Sequence, residues 1–185
     1  MAPTDPGLGH PGTIQAMTGY VAMGSNLGDR GTWLASALGR LDADGIGVGV
    51  ESSVWETEAV GIPGAGAFWN MVVEIETSLT PREILERLQR IEQIAGRRRS
   101  TTPRSRTLDL DLLTLGDLHV DDERLTLPHP RMWQRSFVLA PLNEVAPELR
   151  NPKTGRTPAQ ELARIPHPTA VSRIGALAPR ATVLL

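Results

Sequence analysis

The chain has 185 residues, 40% of them apolar, which suits one globular domain able to bury its own core. A formal charge of -2 and a pI near 6.1 give no overall attraction to nucleic acid or to an anionic membrane, so any phosphate chemistry must come from local clusters. The absence of cysteine excludes a disulfide framework, a thiolate zinc site and a thiol nucleophile, and no apolar stretch approaches the roughly 20 residues of a membrane span. The expectation is a soluble, cytoplasmic monomer without a membrane or nucleic-acid partner.

Residues 1–18 are rich in Pro and Gly without apolar periodicity and read as a disordered extension. A domain is expected over 19–150, with 151–185 either an extension of it or a loosely ordered tail. GYVAM, from Gly19, is a short apolar strand, and GSNLGD is a turn in which Asp29 is placed to cap a helix carrying Leu34, Ala37, Leu38 and Leu41. VGVESSVWET reads as a strand, and FWNMVVEIET as a clearer one with Met71, Val73 and Ile75 on one face. TPREILERLQRIEQIAG predicts a helix with a Thr cap, a Pro at its first position, Ile84, Leu88, Ile91 and Ala95 along one stripe, and a stop at Gly96.

After an arginine-rich loop, TLDLDLLTLG predicts a strand with Leu108, Leu110 and Leu112 on one face. The order is βαββαβ. It predicts an α+β, ferredoxin-like sandwich: an antiparallel sheet, two helices on one face and a site on the other. RLTLPHPRMWQRSFVLAPLNEVAPEL is expected to complete that site.

Residues two apart on a strand project to the same side, so Asp109 and Asp111 present two carboxylates to one cavity while the flanking leucines face the core. Such a pair suits magnesium, which takes one or two carboxylates and completes its shell with waters and substrate phosphates. An isolated Asp-x-Asp reads more readily as a solvated strand face than as a metal site. What changes the reading is the company of Arg97, Arg98, Arg99, Arg104 and Arg106 in the preceding loop, because phosphoryl and pyrophosphoryl transfer needs metals and guanidinium forks together. Alone, that loop reads equally as an RNA contact.

Arg124, His129, Arg131 and Arg135 form a second basic set, in which His129 is read as a phosphate or ribose contact and not as a base. Phe68 and Asn70 share the strand face opposite Met71 and Val73, a ring beside an amide that suits a planar heterocycle or ordinary core packing. Gln89 and Glu92 either face the site or are surface polar residues.

Together YVAMGSNLGDR, SSVWET, FWNMVVEIET, LQRIEQIAGR, RTLDLDLLTLGD and LTLPHPRMWQRSFVLAPLNEVAPEL resemble, in order and spacing, the 6-hydroxymethyl-7,8-dihydropterin pyrophosphokinases, over about Tyr20 to Leu149. The resemblance implies transfer of the pyrophosphate of ATP to 6-hydroxymethyl-7,8-dihydropterin, with release of AMP, in folate biosynthesis. It implies that Asp109 and Asp111 hold two Mg²⁺ ions and that Arg97 and Arg106 are catalytic. It also implies that Gln89, Glu92, Arg99, Arg124, His129 and Arg135 bind the nucleotide, and that Thr57, Val60, Phe68, Asn70 and Phe137 form the pterin pocket. The chain departs from the family at RRRSTTPRSRT, which lacks the usual Trp-Gly-Pro, at Glu58-Ala59, and at Pro130. GSNLG lacks the Gly-Lys-Ser/Thr ending of a Walker loop and is assigned no chemistry. Competing readings are a βαββαβ RNA-binding module and another two-metal nucleotidyltransferase or nuclease. The acids on the TLDLDLLTLG strand count against the RNA module, which stacks bases on exposed aromatics there.

Overall fold

The computed structural model describes residues 16–59, 64–96, 105–166 and 169–178. Eight strands, four α-helices and one 3-10 turn follow in the order β1 (Met17–Ser25), α1 (Arg30–Ala43), β2 (Gly47–Glu51), β3 (Val54–Thr57), β4 (Phe68–Thr77), α2 (Pro81–Ile94), β5 (Asp109–Leu115), β6 (Val120–Asp121), β7 (Thr126–Leu127), the 3-10 turn (Met132–Gln134), α3 (Ser136–Val145), α4 (Pro158–Leu162) and β8 (Val171–Gly175).

Six strands form one antiparallel sheet in the order β5-β1-β4-β3-β8, with β2 also paired to β4, and β6 and β7 form a small separate ribbon. β1 lies between β5 and β4, and its register sets Gly24 opposite both Asn70 of β4 and Asp109 of β5. The strand begins two residues before the expected domain start, because Met17 and Thr18 continue the ladder opposite Thr77 and Glu76. Residues 1–15 lie outside the described residues.

One face of the sheet packs on α1 and α2. Val21, Met23, Met71, Val73, Ile75, Leu110 and Leu112 meet Leu34, Leu38, Leu41, Ile84, Leu88 and Ile91 in the larger core. Both helices form for local reasons visible in the chain: Asp29 accepts from the Thr32 amide at 3.0 Å, and Thr80 and Glu83 close a reciprocal capping box around Pro81. Gly96, at φ 80°, ends the second helix in a conformation that costs glycine little.

The opposite face is only partly open. α3 covers one portion of it, with Val138, Leu139 and Leu142 packed on Val72 and Leu113 in a second core. A register shift between β1 and β5, at Tyr20/Val21, brings Leu113 to this second core while Leu112 and Leu115 stay on the helix-covered side.

The run VGVESSVWET is two strands and not one. Ser52 and Ser53 break it with buried polar side chains: the Ser52 hydroxyl donates to the Ser53 carbonyl and accepts from the Val72 amide, and the Ser53 amide donates to Glu144 of α3 at 2.6 Å. Beyond Arg150 the chain supplies α4, against the second core, and β8, which extends the sheet beside β3.

Candidate active site

A cavity of about 370 Å³ opens on the face that α3 leaves uncovered, lined by Ala22, Gly24, Thr57, Glu58, Phe68, Asn70, Arg106, Asp109, Asp111, Arg135, Phe137, Val138 and Thr169 among others. Its two halves differ in chemistry. The start of β5 supplies carboxylates, whereas β3, β4 and the start of α3 supply an amide and two rings.

At the charged end, Asp109 and Asp111 point to the same side of β5, as the two-residue repeat requires, and both line the cavity. Asp109 forms an ion pair with Arg106, three residues before it. The Asp111 carboxylate lies 3.6 Å from the Arg135 guanidinium and 4.0 Å from His129 Nε2. His129 Nδ1 accepts from the Arg131 amide at 3.2 Å, which leaves the Nε2 proton facing Asp111. Burial, with Arg135 and Arg131 nearby, lowers the His129 pKa against the opposing pull of Asp111, favouring the neutral imidazole, a donor and not a cation. Burial also lowers the Arg135 pKa, Arg131 adding to it and Asp111 and Asp109 opposing, yet an arginine keeps its charge.

At the other end, Asn70 donates its amide to the Thr57 hydroxyl at 3.0 Å. That bond fixes the side chain and turns the amide oxygen toward the cavity floor at Gly24. Phe68 and Phe137 stand on different elements at the same opening, and the Arg135 guanidinium sits 5.6 Å from the centre of the Phe137 ring.

Of the residues singled out in the sequence, Thr57, Phe68, Asn70, Arg106, Asp109, Asp111, Arg135 and Phe137 all line this one cavity, and His129 reaches it through Asp111. Val60, Arg97, Arg98, Arg99 and Arg104 lie outside the described residues. Arg124 is an exposed residue beside the β6–β7 ribbon, its amide bonded to Asp122, and is not among the cavity's lining residues; nor is the half-buried Gln89. Glu92 is buried beneath β5, where its carboxylate accepts from the Leu110 amide at 2.8 Å, between the two acids.

One residue of the turn that was given no chemistry organises the site. Asn26 accepts from the Arg106 amide at 2.7 Å, and its own amide donates to the Arg106 carbonyl at 3.0 Å. Its side-chain nitrogen donates to Gly66 O and to the Ser105 hydroxyl. An Asn in a tight turn is a sequence signal for such a clamp, though its Arg106 partner, 80 residues away, is not.

The described residues hold no group of three or more His, Cys, Asp or Glu side chains able to cage a metal by themselves. Fold and site together define an antiparallel α+β protein whose cavity joins paired acids and arginines to an aromatic and amide pocket. Residues 20–147 match the family described as 7,8-dihydro-6-hydroxymethylpterin-pyrophosphokinase (HPPK), and the chain belongs to that family.

The chain is similar to the 2-amino-4-hydroxy-6-hydroxymethyldihydropteridine pyrophosphokinase of Bacillus subtilis, 43% identical over 147 residues that cover 79% of this chain and 88% of the relative. The enzyme of the same name from Methylorubrum extorquens is 38% identical over 156 residues, 84% of this chain and 97% of the relative. Among solved structures, Plasmodium falciparum HPPK-DHPS with SDX-DHP superimposes with a TM-score of 0.65 at 14% identity, covering 80% of this chain. That likeness establishes the fold, and the chain spans 44% of the length of that structure.

Proposed function

We propose that this protein transfers the pyrophosphate of ATP to the hydroxymethyl oxygen of 6-hydroxymethyl-7,8-dihydropterin, releasing AMP and forming the pterin diphosphate of folate biosynthesis. The observation that carries this reading is the single cavity in which Asp109, Asp111, Arg106 and Arg135 face Phe68, Asn70 and Phe137, and membership of the pterin pyrophosphokinase family supports it. The scaffold is a ferredoxin-like βαββαβ unit in which β2 and β3 share the place of one strand; the order β5-β1-β4-β3 supports that assignment.

Two carboxylates on one strand face, with no third protein acid or histidine completing a cage among the described residues, fit Mg²⁺ ions that take their remaining ligands from nucleotide phosphates and water. Asp109 and Asp111 would hold them, and bound Mg²⁺ neutralises charge on the phosphate oxygens. Arg106 and Arg135, already beside the two acids, are placed to turn their forks to phosphate once nucleotide arrives. The neutral His129 donates Nε2–H to an anionic oxygen. Asn70 offers its fixed oxygen to the N–H edge of the pterin, between the Phe68 and Phe137 rings. Arg97 and Arg99 are assigned to catalysis and nucleotide by resemblance, as are Gln89, Arg124 and Val60 to their ligands. Glu92 supports the metal acids from beneath.

The pterin hydroxymethyl oxygen attacks the β-phosphorus, the bond to the AMP oxygen breaks, and the hydroxyl proton leaves to solvent. Catalysis is then chiefly positioning and electrostatics. The test is AMP release from ATP and Mg²⁺ with and without the pterin. Pterin-dependent AMP formation by the parent protein, reduced by about a hundredfold or more in Asp111→Ala, is expected. No AMP from folded, ATP-binding protein, or undiminished turnover in the variant, would sink the assignment.

A further inference from the structure

The strand residues that line the amide and ring half of the cavity alternate with residues that do not. Thr57, Phe68 and Asn70 face the cavity, whereas Glu56 and Trp69, one step along the same strands, pair with each other across β3 and β4 and turn to the opposite face, where Trp69 packs on the larger core. On that reverse face one carboxylate oxygen serves two donors. Glu56 Oε2 accepts from the Trp69 indole nitrogen at 2.9 Å and from Arg30 Nη1 at 3.0 Å. The same Arg30 nitrogen donates to the Ala67 carbonyl at 2.7 Å, and the guanidinium carbon lies 4.4 Å from the centre of the Trp69 ring.

Arg30 is the first residue of α1, whose start is fixed by the Asp29 cap, so the guanidinium reaches out from an anchored backbone. Gly31 brings that start against the sheet: a Cβ there would lie 3.3 Å from the Trp69 ring. An isolated ion pair that is 26% and 37% exposed adds little to stability. What this one adds is geometric, because its bonds fall on Glu56, Ala67 and Trp69, which are the chain neighbours of Thr57, Phe68 and Asn70.

We propose that Arg30 is a positioning residue for pterin binding: from the reverse face of the sheet it holds Glu56, Ala67 and Trp69, and through them sets Thr57, Phe68 and Asn70 without touching the substrate. This rests on the pterin pyrophosphokinase reading and gives the end of YVAMGSNLGDR a part in it. The bonds all lie behind the pterin half, so pterin binding depends on them and nucleotide binding does not.

The experiment is calorimetric titration of parent and Arg30→Ala with 6-hydroxymethyl-7,8-dihydropterin, and separately with a non-hydrolysable ATP analogue and Mg²⁺. The expected result is a pterin Kd raised by about fivefold or more, with the nucleotide Kd within about twofold. General loosening of the fold would weaken both ligands, so equal losses, or an unchanged pterin affinity, overturn the proposal. Should the variant not fold, the parent decides it by reciprocity, since a staple that raises pterin affinity is itself stabilised by bound pterin through the same factor. Saturating pterin is then expected to slow hydrogen exchange at the Trp69 indole nitrogen by about fivefold or more, read by ¹⁵N NMR, and an unchanged rate overturns the proposal. Failure of the parent itself to bind pterin would instead remove the functional reading on which it stands.

Discussion

At the scale of single residues, the cavity shows how little of a site resides in its reacting groups. Asp109 and Asp111 owe their common direction to strand periodicity, but their setting comes from residues with no role in the chemistry. Glu92 holds the Leu110 amide between them, and Asn26 holds both backbone groups of Arg106. A positioned arginine loses its value when its backbone wanders, since displacements of about an ångström cost large factors in rate. Asn26→Ala is therefore expected to lower the rate of AMP formation by about tenfold or more while leaving pterin affinity within about threefold, measured by single-turnover kinetics and titration. Equal losses in both would place Asn26 in the pocket and not behind the arginine. The two acids were legible because a two-residue repeat needs only local sequence. Asn26 was not, because its partners come from the far end of the chain's central loop.

At the scale of elements, the strand and helix patterns announced themselves wherever one face is buried and the other is not. The α2 sequence carries one period throughout, caps included, and FWNMVVEIET keeps Met71, Val73 and Ile75 on one face although Val72 is buried on the other. VGVESSVWET misled because alternation continues across Ser52 and Ser53, while the break depends on Val72 and Glu144. Glu144 deserves a prediction of its own. Burial pushes its carboxyl up, but hydrogen bonds from Ser53 and the nearby Arg173 outweigh that and hold it below the usual carboxylate value. A carboxyl lowered in the folded state contributes stability above its unfolded value, about 4.3, and loses it as pH falls through the lowered folded value. Glu144→Gln is thus expected to cost about 1 kcal/mol near neutral pH, and denaturation curves of variant and parent should converge in acid. A penalty constant with pH would refute the charge-based tether between α3, β3 and β8.

At the scale of the whole molecule, the two cores are unequal and the site lies beside the smaller one. α1 and α2 bury the larger apolar set on one face, whereas α3 covers only part of the other and leaves the cavity at its edge. The segment beyond Arg150 belongs to this smaller side. Leu162 and Ile165 pack on it, the Ser136 hydroxyl donates to Thr169 O at 2.9 Å, and β8 covers the edge of β3. Ending the chain at Leu149 should lower the thermal midpoint by about 5 °C or more and weaken pterin binding, because Thr169 lines the cavity and the start of α3 loses its partner. Unaltered pterin affinity in a folded truncated chain would show that the tail stabilises without shaping the pocket.

The sequence by itself determined β1, α1, β4, α2 and β5, the direction of the paired acids and, through its ordered motifs, the family, because period, caps and motif spacing are properties of neighbouring residues. Only the tertiary structure decided that α3 shares the open face with the cavity, that Glu92 lies beneath the acids, that Asn26 grips Arg106, and that Gly24 pairs with both Asn70 and Asp109. Each of those depends on which strands lie side by side, and pairing across tens of residues is set by the burial of whole faces, which no local pattern records.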